Sequence, residues 1–380
     1  MENLTHSLIG ATLAEVFVPR SASPAKRGFF FTVGVVAANL PDADLIYTRI
    51  TPPPLGYLLH HRGHTHTLVG IAILGVAFGA LLLIPPVRRG LADCRGRFWG
   101  LVACALLSHI VADAWNSYGV HPFWPVDNRW FYGDAIFIYE PWLWVIFGVS
   151  VTLNTRIRGT RFALAALLIA LPLAMTGLRI ISPGILATLA IAGAALAVLT
   201  AGMPPLRRAS LSLALATAFV TSVFALNRVA RARLDASLAT TTRGEVLDEI
   251  LSARPANPLC WSAIVVERNR AADEYSLRRG TISIVRHGCS WDWEHAWASA
   301  DTQSLSRLRE LSRTNCRVRA WLRFGRAPFI RRGRIADYRF GNAGTRNFSS
   351  MLIDDGSDPS ICPPSIPPWG TPRGDLLDSR

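Results

Sequence analysis

Seven apolar stretches punctuate the first 226 residues: Phe29–Leu40, Thr67–Pro86, Phe98–Leu107, Phe137–Leu153, Phe162–Leu178, Gly184–Met203 and Ala209–Leu226. A helix needs about 20 apolar residues to cross the hydrocarbon of a bilayer, with a range of about 17–25. Thr67–Pro86, Phe162–Leu178, Gly184–Met203 and Ala209–Leu226 reach that length alone. Phe137–Leu153 reaches it with Trp142 and Trp144, aromatic residues that suit an interface. Phe29–Leu40 and Phe98–Leu107 span only if the polar residues after them are included. A short first helix, His6 to Val18, completes the set. The pattern predicts an all-α polytopic membrane domain of about seven to eight helices over residues 1–228.

Beyond residue 228 the long apolar runs stop. The segments 259–269 and 275–285 alternate like strands, 295–313 reads as a helix, and 319–330 and 337–344 read as further strands. A small soluble α+β domain is expected over 229–350. A Pro-rich end, 351–380, reads as disordered.

Composition agrees with a membrane protein. The chain has 380 residues, 50% hydrophobic and 17% charged, against about 25% charged in soluble domains. The net charge of +14 is almost all arginine, Lys26 being the only lysine. Much of it lies in short loops: Arg20, Lys26 and Arg27; Arg88, Arg89, Arg95 and Arg97; Arg156, Arg158 and Arg161; Arg207 and Arg208. Loops of this kind face the cytoplasm, so orientation accounts for the charge and nucleic acid is not expected as a partner. One threading puts all of them inside, with the N-terminus, the histidine-rich loop and the tail outside. Arg228, Arg231 and Arg233, after the last span, run against it. Four of the six cysteines (Cys260, Cys289, Cys316 and Cys362) lie in the tail, where an oxidising compartment would let them pair. The start of the chain lacks the marks of a signal peptide.

Candidate chemistry collects on one face. His6, Asp42, Asp44, His60, His61, His64, His66, His109, Asp113, His121, Asp127 and Asp134 all fall at the outer ends of the apolar segments in this threading. His109 and Asp113 are four apart on a helix and share a face. Four imidazoles crowd into residues 60–66, and the spacings of His61, His64 and His66 allow convergence on an ion. Imidazole with carboxylate suits zinc, and also iron or manganese. An acid inside an apolar segment such as Asp113 needs a partner, because its insertion costs about 2.5–3.5 kcal/mol. His287 and His295 are read as structural.

The run of "THSLIG", "NLPDADLI", "HHRGHTHTLVG", "LLSHIVADAWNSYG" and "HPFWP" resembles the YdjM family of membrane-bound metal-dependent hydrolases, over roughly residues 1–145. The family is distantly similar to zinc-dependent phospholipase C and the S1/P1 nucleases. The resemblance implies His6, Asp44, His64, His109 and Asp113 as ligands of a divalent metal, with Asp42, His61 and His66 as further candidates. Soluble relatives of this kind also use their N-terminal amine as a ligand, in a mature chain that begins near the site.

The resulting expectation is a di-metal hydrolase in the inner membrane, open at the outer bilayer surface, with an amphiphilic phosphate ester as substrate. Asp42 or Asp134 would take a proton, and Arg62 or Arg129 would hold a phosphate oxygen. Two rivals are a metal transporter and a metal-binding interaction protein without catalysis. Against transport, the segment from Phe162 to Leu226 contains no acidic residue.

Overall fold

A computed structural model describes residues 1–242, 244–286, 288–289, 297, 300–341 and 346–378. His287 and His295 lie outside the described residues. Six helices surround the N-terminal half: α1 (Asn3–Phe17), α2 (Pro24–Asn39), α3 (Leu55–His60), α4 (Leu68–Gly79), α5 (Pro85–Gly90) and α6 (Arg95–Asp113). Then follow α7 (Pro141–Asn154), α8 (Arg158–Gly177), α9 (Pro183–Thr200) and the long α10 (Pro205–Thr241).

Small residues set how closely the first helices cross. A Cβ at Gly10 of α1 would stand 2.3 Å from the carbonyl oxygen of Gly34 in α2. Side chains there would push the helices apart. The crossing brings the start of α1, with His6, beside the end of α2. Pro41 follows at once and lacks the N–H a helix needs. The chain turns instead into a 3-10 run, Leu40–Ile46, that carries Asp42 and Asp44. On α6 the buried stripe Phe98, Leu101, Val102, Ala105 and Leu106 continues one and two turns later into His109 and Asp113.

Among the described residues, four helical segments suffice by length and composition to cross a membrane: Pro24–Ile50, Arg158–Gly177, Pro183–Thr200 and Pro205–Thr241. A fifth forms if the bent pair Leu55–His66 and Leu68–Leu83 counts as one. The count of seven to eight spans is therefore matched only coarsely. Helices α1 and α7 have 15 and 14 residues, below the length a span needs, and α6 carries Arg95, Arg97 and Asp113 at its ends. The outer faces of α8 and α9 expose Phe162, Ile169, Ile191 and Val198, as lipid-facing helices do.

The C-terminal part holds an antiparallel sheet in the order β1 (Glu245–Arg254), β2 (Asn257–Asn269), β3 (Glu274–Ser283), β4 (Asp301–Ser304). A second sheet runs β5 (Pro328–Arg331), β6 (Arg334–Asp337), β7 (Met351–Leu352). Helices α11 (Leu305–Thr314), α12 (Cys316–Trp321) and α13 (Gly374–Leu377) complete it. Strands β2 and β3 lie where alternation placed them. Of the helix expected over 295–313, residues 301–304 form a short strand that pairs with β3 and Leu305–Thr314 is helical, while 295–296 and 298–299 lie outside the described residues. The strand expected over 319–330 opens as helix α12, because the Asn315 side chain caps it by accepting from the Val318 N–H and Val318 and Trp321 bury. Of the strand expected over 337–344, Tyr338–Phe340 form a 3-10 turn, and 342–344 lie outside the described residues.

Helix α10 runs through the expected boundary at residue 228. One apolar core continues from Leu8, Leu143 and Phe147 through Val223, Leu234 and Leu238 to Trp261 and Val265. Arg231 donates to the Glu249 carbonyl and Arg233 to that of Ser283. These arginines dock the C-terminal part instead of lining a loop. The end of the chain is also packed. Trp369 is 2% exposed and its indole N–H donates to the Leu59 carbonyl, so the Pro-rich composition that suggested disorder is overridden by one buried aromatic anchor.

Candidate metal centre

Helices α1, α2, α4 and α6 present alternate ends to the same side of the bundle, and the polar residues of that side meet. Asp42, His66, His109 and Asp113 each offer one ligand atom, all within 4.8 Å of one another. His66 Nε2 lies 3.4 Å from Asp42 Oδ1 and 3.3 Å from Asp113 Oδ2. His109 Nε2 lies 3.4 Å and 3.6 Å from the same two atoms. The two Nε2 atoms are 3.1 Å apart. Four donors about 2.0–2.1 Å from a tetrahedral ion stand about 3.3–3.4 Å from each other. The spacing fits.

The hydrogen bonds behind the donors fix which ring nitrogen faces inward. His109 Nδ1–H donates to the Ala38 carbonyl at 2.6 Å. His66 Nδ1 lies 3.2 Å from Asp44 Oδ2. Each Nε2 is thereby left with its lone pair toward the other, the arrangement found behind metal-bound imidazoles. Asp113 Oδ2 is buried and receives no hydrogen bond. Bare lone pairs and an orphan carboxylate oxygen in one buried space call for a cation. A buried group of His and Asp residues that can hold a metal ion is thus present.

A second group adjoins it: Asp42, Asp44 and His61. His61 Nδ1 is 3.1 Å from Asp44 Oδ1 and 3.9 Å from Asp42 Oδ1. Asp42 belongs to both groups. It and His61 are the accessible members, their side chains 9% and 12% exposed. Asp44 is held by the Arg62 N–H and the Thr65 hydroxyl.

His6 stacks on His109 with ring centroids 3.8 Å apart, and its Nε2 is 3.4 Å from Asp113 Oδ1. That oxygen also meets the Met1 α-amino group.

Several residues singled out from sequence stand elsewhere. His64 packs its ring against Trp124 and Trp369, each 4.8 Å away. It turns away from the cluster because residues two apart in the 3-10 turn His64–His66 point about 120° apart. Gly70 allows that turn: a Cβ there would lie 1.9 Å from the His64 carbonyl oxygen. Arg62 is no free phosphate clamp. Its guanidinium is buried, 2.9 Å from Asp113 Oδ1, bonded to Asn116 Oδ1, and over the Tyr118 ring. Asp134 is no proton acceptor at the cluster, because Arg326 grips it through two contacts of 2.8 Å. Arg129 and Asp127 pair with each other at the surface. His60 bonds the Thr51 hydroxyl. His121 is buried against Trp130 and Trp369, and burial, then its histidine neighbours, hold its pKa well below the ordinary value.

Residues 1–183, which contain every member of both groups, match the family model described as YdjM inner membrane protein. That N-terminal region is of the YdjM family. The chain is also similar to an uncharacterized protein, YfhP, of Bacillus subtilis (strain 168): 22% identity over 149 residues, 38% of this chain and 43% of that protein. The matched part spans less than half the length of that relative. No solved structure matches the chain. The YdjM region ends within α9, so α10 and the C-terminal sheets lie outside the family match.

Proposed function

We propose that this protein is a membrane-bound metal-dependent hydrolase acting on a phosphate ester of an amphiphilic substrate. The observation that carries the proposal is the pair of imidazole Nε2 atoms 3.1 Å apart, flanked by Asp42 and Asp113. Three carboxylates, Asp42, Asp44 and Asp113, meet two cationic groups there, Arg62 and the Met1 amine. A divalent cation fits that imbalance, and His/Asp donors suit zinc or manganese.

The two groups differ in kind. Asp42, His66, His109 and Asp113 supply four donors, three of them buried, the closed set of a structural ion. Asp42, Asp44 and His61 supply three donors, of which Asp42 and His61 reach the surface, and three donors leave a position for substrate or water. A metal ion so placed supplies Lewis acidity to a phosphoryl oxygen and activates water. The chain's own part is positional. Arg62 neutralises one oxygen of Asp113 and leaves the other for the ion. Ala38 and Asp44 hold the two rings in register. Beside the accessible donors, Leu45 and Ile46 are 44% and 81% exposed, apolar contacts suited to a lipid-like substrate.

An outer-face location is supported by the cysteines, which pair as Cys260–Cys289 and Cys316–Cys362. Disulfides persist outside the cytoplasm. The docking roles of Arg231 and Arg233 leave Arg228 as the one charge of that group that runs against this orientation.

The four-donor group favours one alternative, a metal centre that only ties helix ends together. Turnover separates the readings. Zinc- or manganese-loaded protein in mixed micelles is assayed for phosphate release from phosphatidic acid and from water-soluble phosphomonoesters and diesters. Hydrolysis that His61→Ala abolishes, with about one ion retained, supports the enzyme. Bound metal without turnover on any of them supports the tie.

A further inference from the structure

Helix α4 is short for a bilayer. Val69, Ile73 and Val76 make an exposed apolar stripe along it, and no charged residue occurs from Thr67 to Val87, the pattern of a helix that faces lipid. Its 12 residues and the four of the 3-10 turn Ala80–Leu83 together rise about 26 Å, against hydrocarbon about 30 Å thick. Arg88 and Arg89 close the stripe at one end. At the other end the chain before Leu68 bends away by 68°, so α4 gains no height from its own continuation.

A loop from elsewhere in the chain continues the stripe instead. The Leu68 N–H donates to the Pro122 carbonyl at 2.8 Å, which ties residues 122–126 to the head of α4. A turn closed by the Val126 N–H on the Phe123 carbonyl follows. Val126 is 94% exposed, Phe123 is exposed, and both line one recess with Leu68 and Val69. Trp124, between them, packs on the His64 ring, so the turn is anchored from beneath while its apolar face stays outside. Apolar side chains held in the open on an anchored turn mark a surface that meets a partner. Continuity with the lipid-facing stripe of α4 makes that partner the bilayer. The first charged residues after Val126, Asp127 and Arg129, pair with each other, which lowers the cost of placing them among headgroups.

We infer that residues 122–126 form an interfacial anchor, with Phe123 and Val126 inserted into the leaflet on the metal-centre side of the membrane. Apolar residues beyond a short helix extend its hydrophobic height, and a segment of this kind lies at the boundary of headgroups and acyl chains. His66 precedes Leu68 by two residues, so the anchor holds the His/Asp groups at headgroup level. The inference rests on α4 facing lipid and uses no metal chemistry. If the hydrolase reading also holds, a lipid-like substrate reaches Asp42 and His61 without leaving its leaflet.

The test uses the full-length protein in phosphatidylcholine–phosphatidylglycerol vesicles. Cys104→Ser removes the exposed free thiol, and Cys94 stays buried. Val126→Cys and, at mid-height of α9, Ile191→Cys then each carry a nitrobenzoxadiazole fluorophore. The quenchers are aqueous iodide and phospholipids with a nitroxide at either the headgroup end or the tail end of the acyl chain. At position 126 the nitroxide at the headgroup end is expected to quench more strongly, at position 191 the one at the tail end, and iodide only weakly at either. Quenching at 126 by iodide and by neither nitroxide overturns the inference, as does stronger quenching there by the tail-end nitroxide. Protection of 126 from every quencher overturns it too, because a protein partner or a second copy then covers the loop. The unmodified protein gives a second measurement: a phospholipid with a diazirine at the headgroup end of its acyl chain should photolabel residues 122–126. Label on α9 with none on that loop overturns the inference, whatever the variants do. Neither measurement reads metal or turnover, so the inference and the hydrolase reading fail separately.

Discussion

His66 and His109 face each other with their Nε2 atoms 3.1 Å apart, although 43 residues separate them in the chain. Each ring spends its Nδ1–H on an oxygen behind it. Two lone pairs at that distance repel unless a proton or a metal ion lies between. Metal content decides which. Protein purified without chelator and measured by elemental mass spectrometry is expected to lose an ion on His66→Ala or His109→Ala. His64→Ala, whose ring packs on Trp124 and Trp369, is expected to keep full occupancy. Loss of metal in His64→Ala with retention in His66→Ala would reverse the assignment of the histidine loop.

Arg326 joins the two halves of the molecule, with Asp134 on one side and Asp248 on the other. Burial alone would raise the Asp248 pKa, but Arg326 and then Arg373 outweigh it and hold it below the ordinary 3.8. A carboxyl lowered on folding adds stability above its unfolded pKa and loses it as pH falls through the folded value. Wild-type melting temperature should therefore fall below about pH 4. Arg326→Leu leaves the buried carboxylates of Asp134 and Asp248 with only their lesser partners, Arg231 and Arg373, at a cost of about 3–5 kcal/mol at neutral pH. Burial then dominates, and the variant should gain stability on mild acidification. Melting curves of both proteins across this range check the opposite signs.

Trp369 anchors the end of the chain over the histidine loop, against His64 and His121. Trp369→Ala removes a buried aromatic, a change worth about 3–5 kcal/mol in a core. Here it should act as local opening, because α10 and the sheets keep their own contacts. Hydrogen exchange is expected to quicken over residues 58–66 and to stay unchanged in β2. Uniform acceleration would show that the strap is part of the global fold.

Cys94 and Cys104 are the free thiols among the described cysteines, with Cys260–Cys289 and Cys316–Cys362 paired. Protein taken directly from membranes under alkylation should expose two reactive thiols after denaturation, and six after reduction. Reduction should destabilise the C-terminal part by about 2–4 kcal/mol per bond. Six thiols without reductant would place that part in the cytoplasm and overturn the outer-face assignment.

Much of the site was legible because its cues are local. The i, i+4 pair His109 and Asp113 follows from helical periodicity, and Pro41 marks where α2 must release its carboxylates. Apolar length alone picked out the spans of α8, α9 and α10 but not the breaks within Thr67–Pro86, and alternation picked out β2 and β3. What local pattern cannot carry is the identity of a distant partner. His64 and His66 are equivalent by composition, and only a 3-10 turn packed against Gly70 sends one to the cluster and the other to Trp369. Arg62 and Asp134 looked available for catalysis as free polar residues. The fold commits Arg62 to Asp113, 51 positions on, and Asp134 to Arg326, 192 positions on, because a charge removed from water takes whatever counter-charge the packed chain brings beside it.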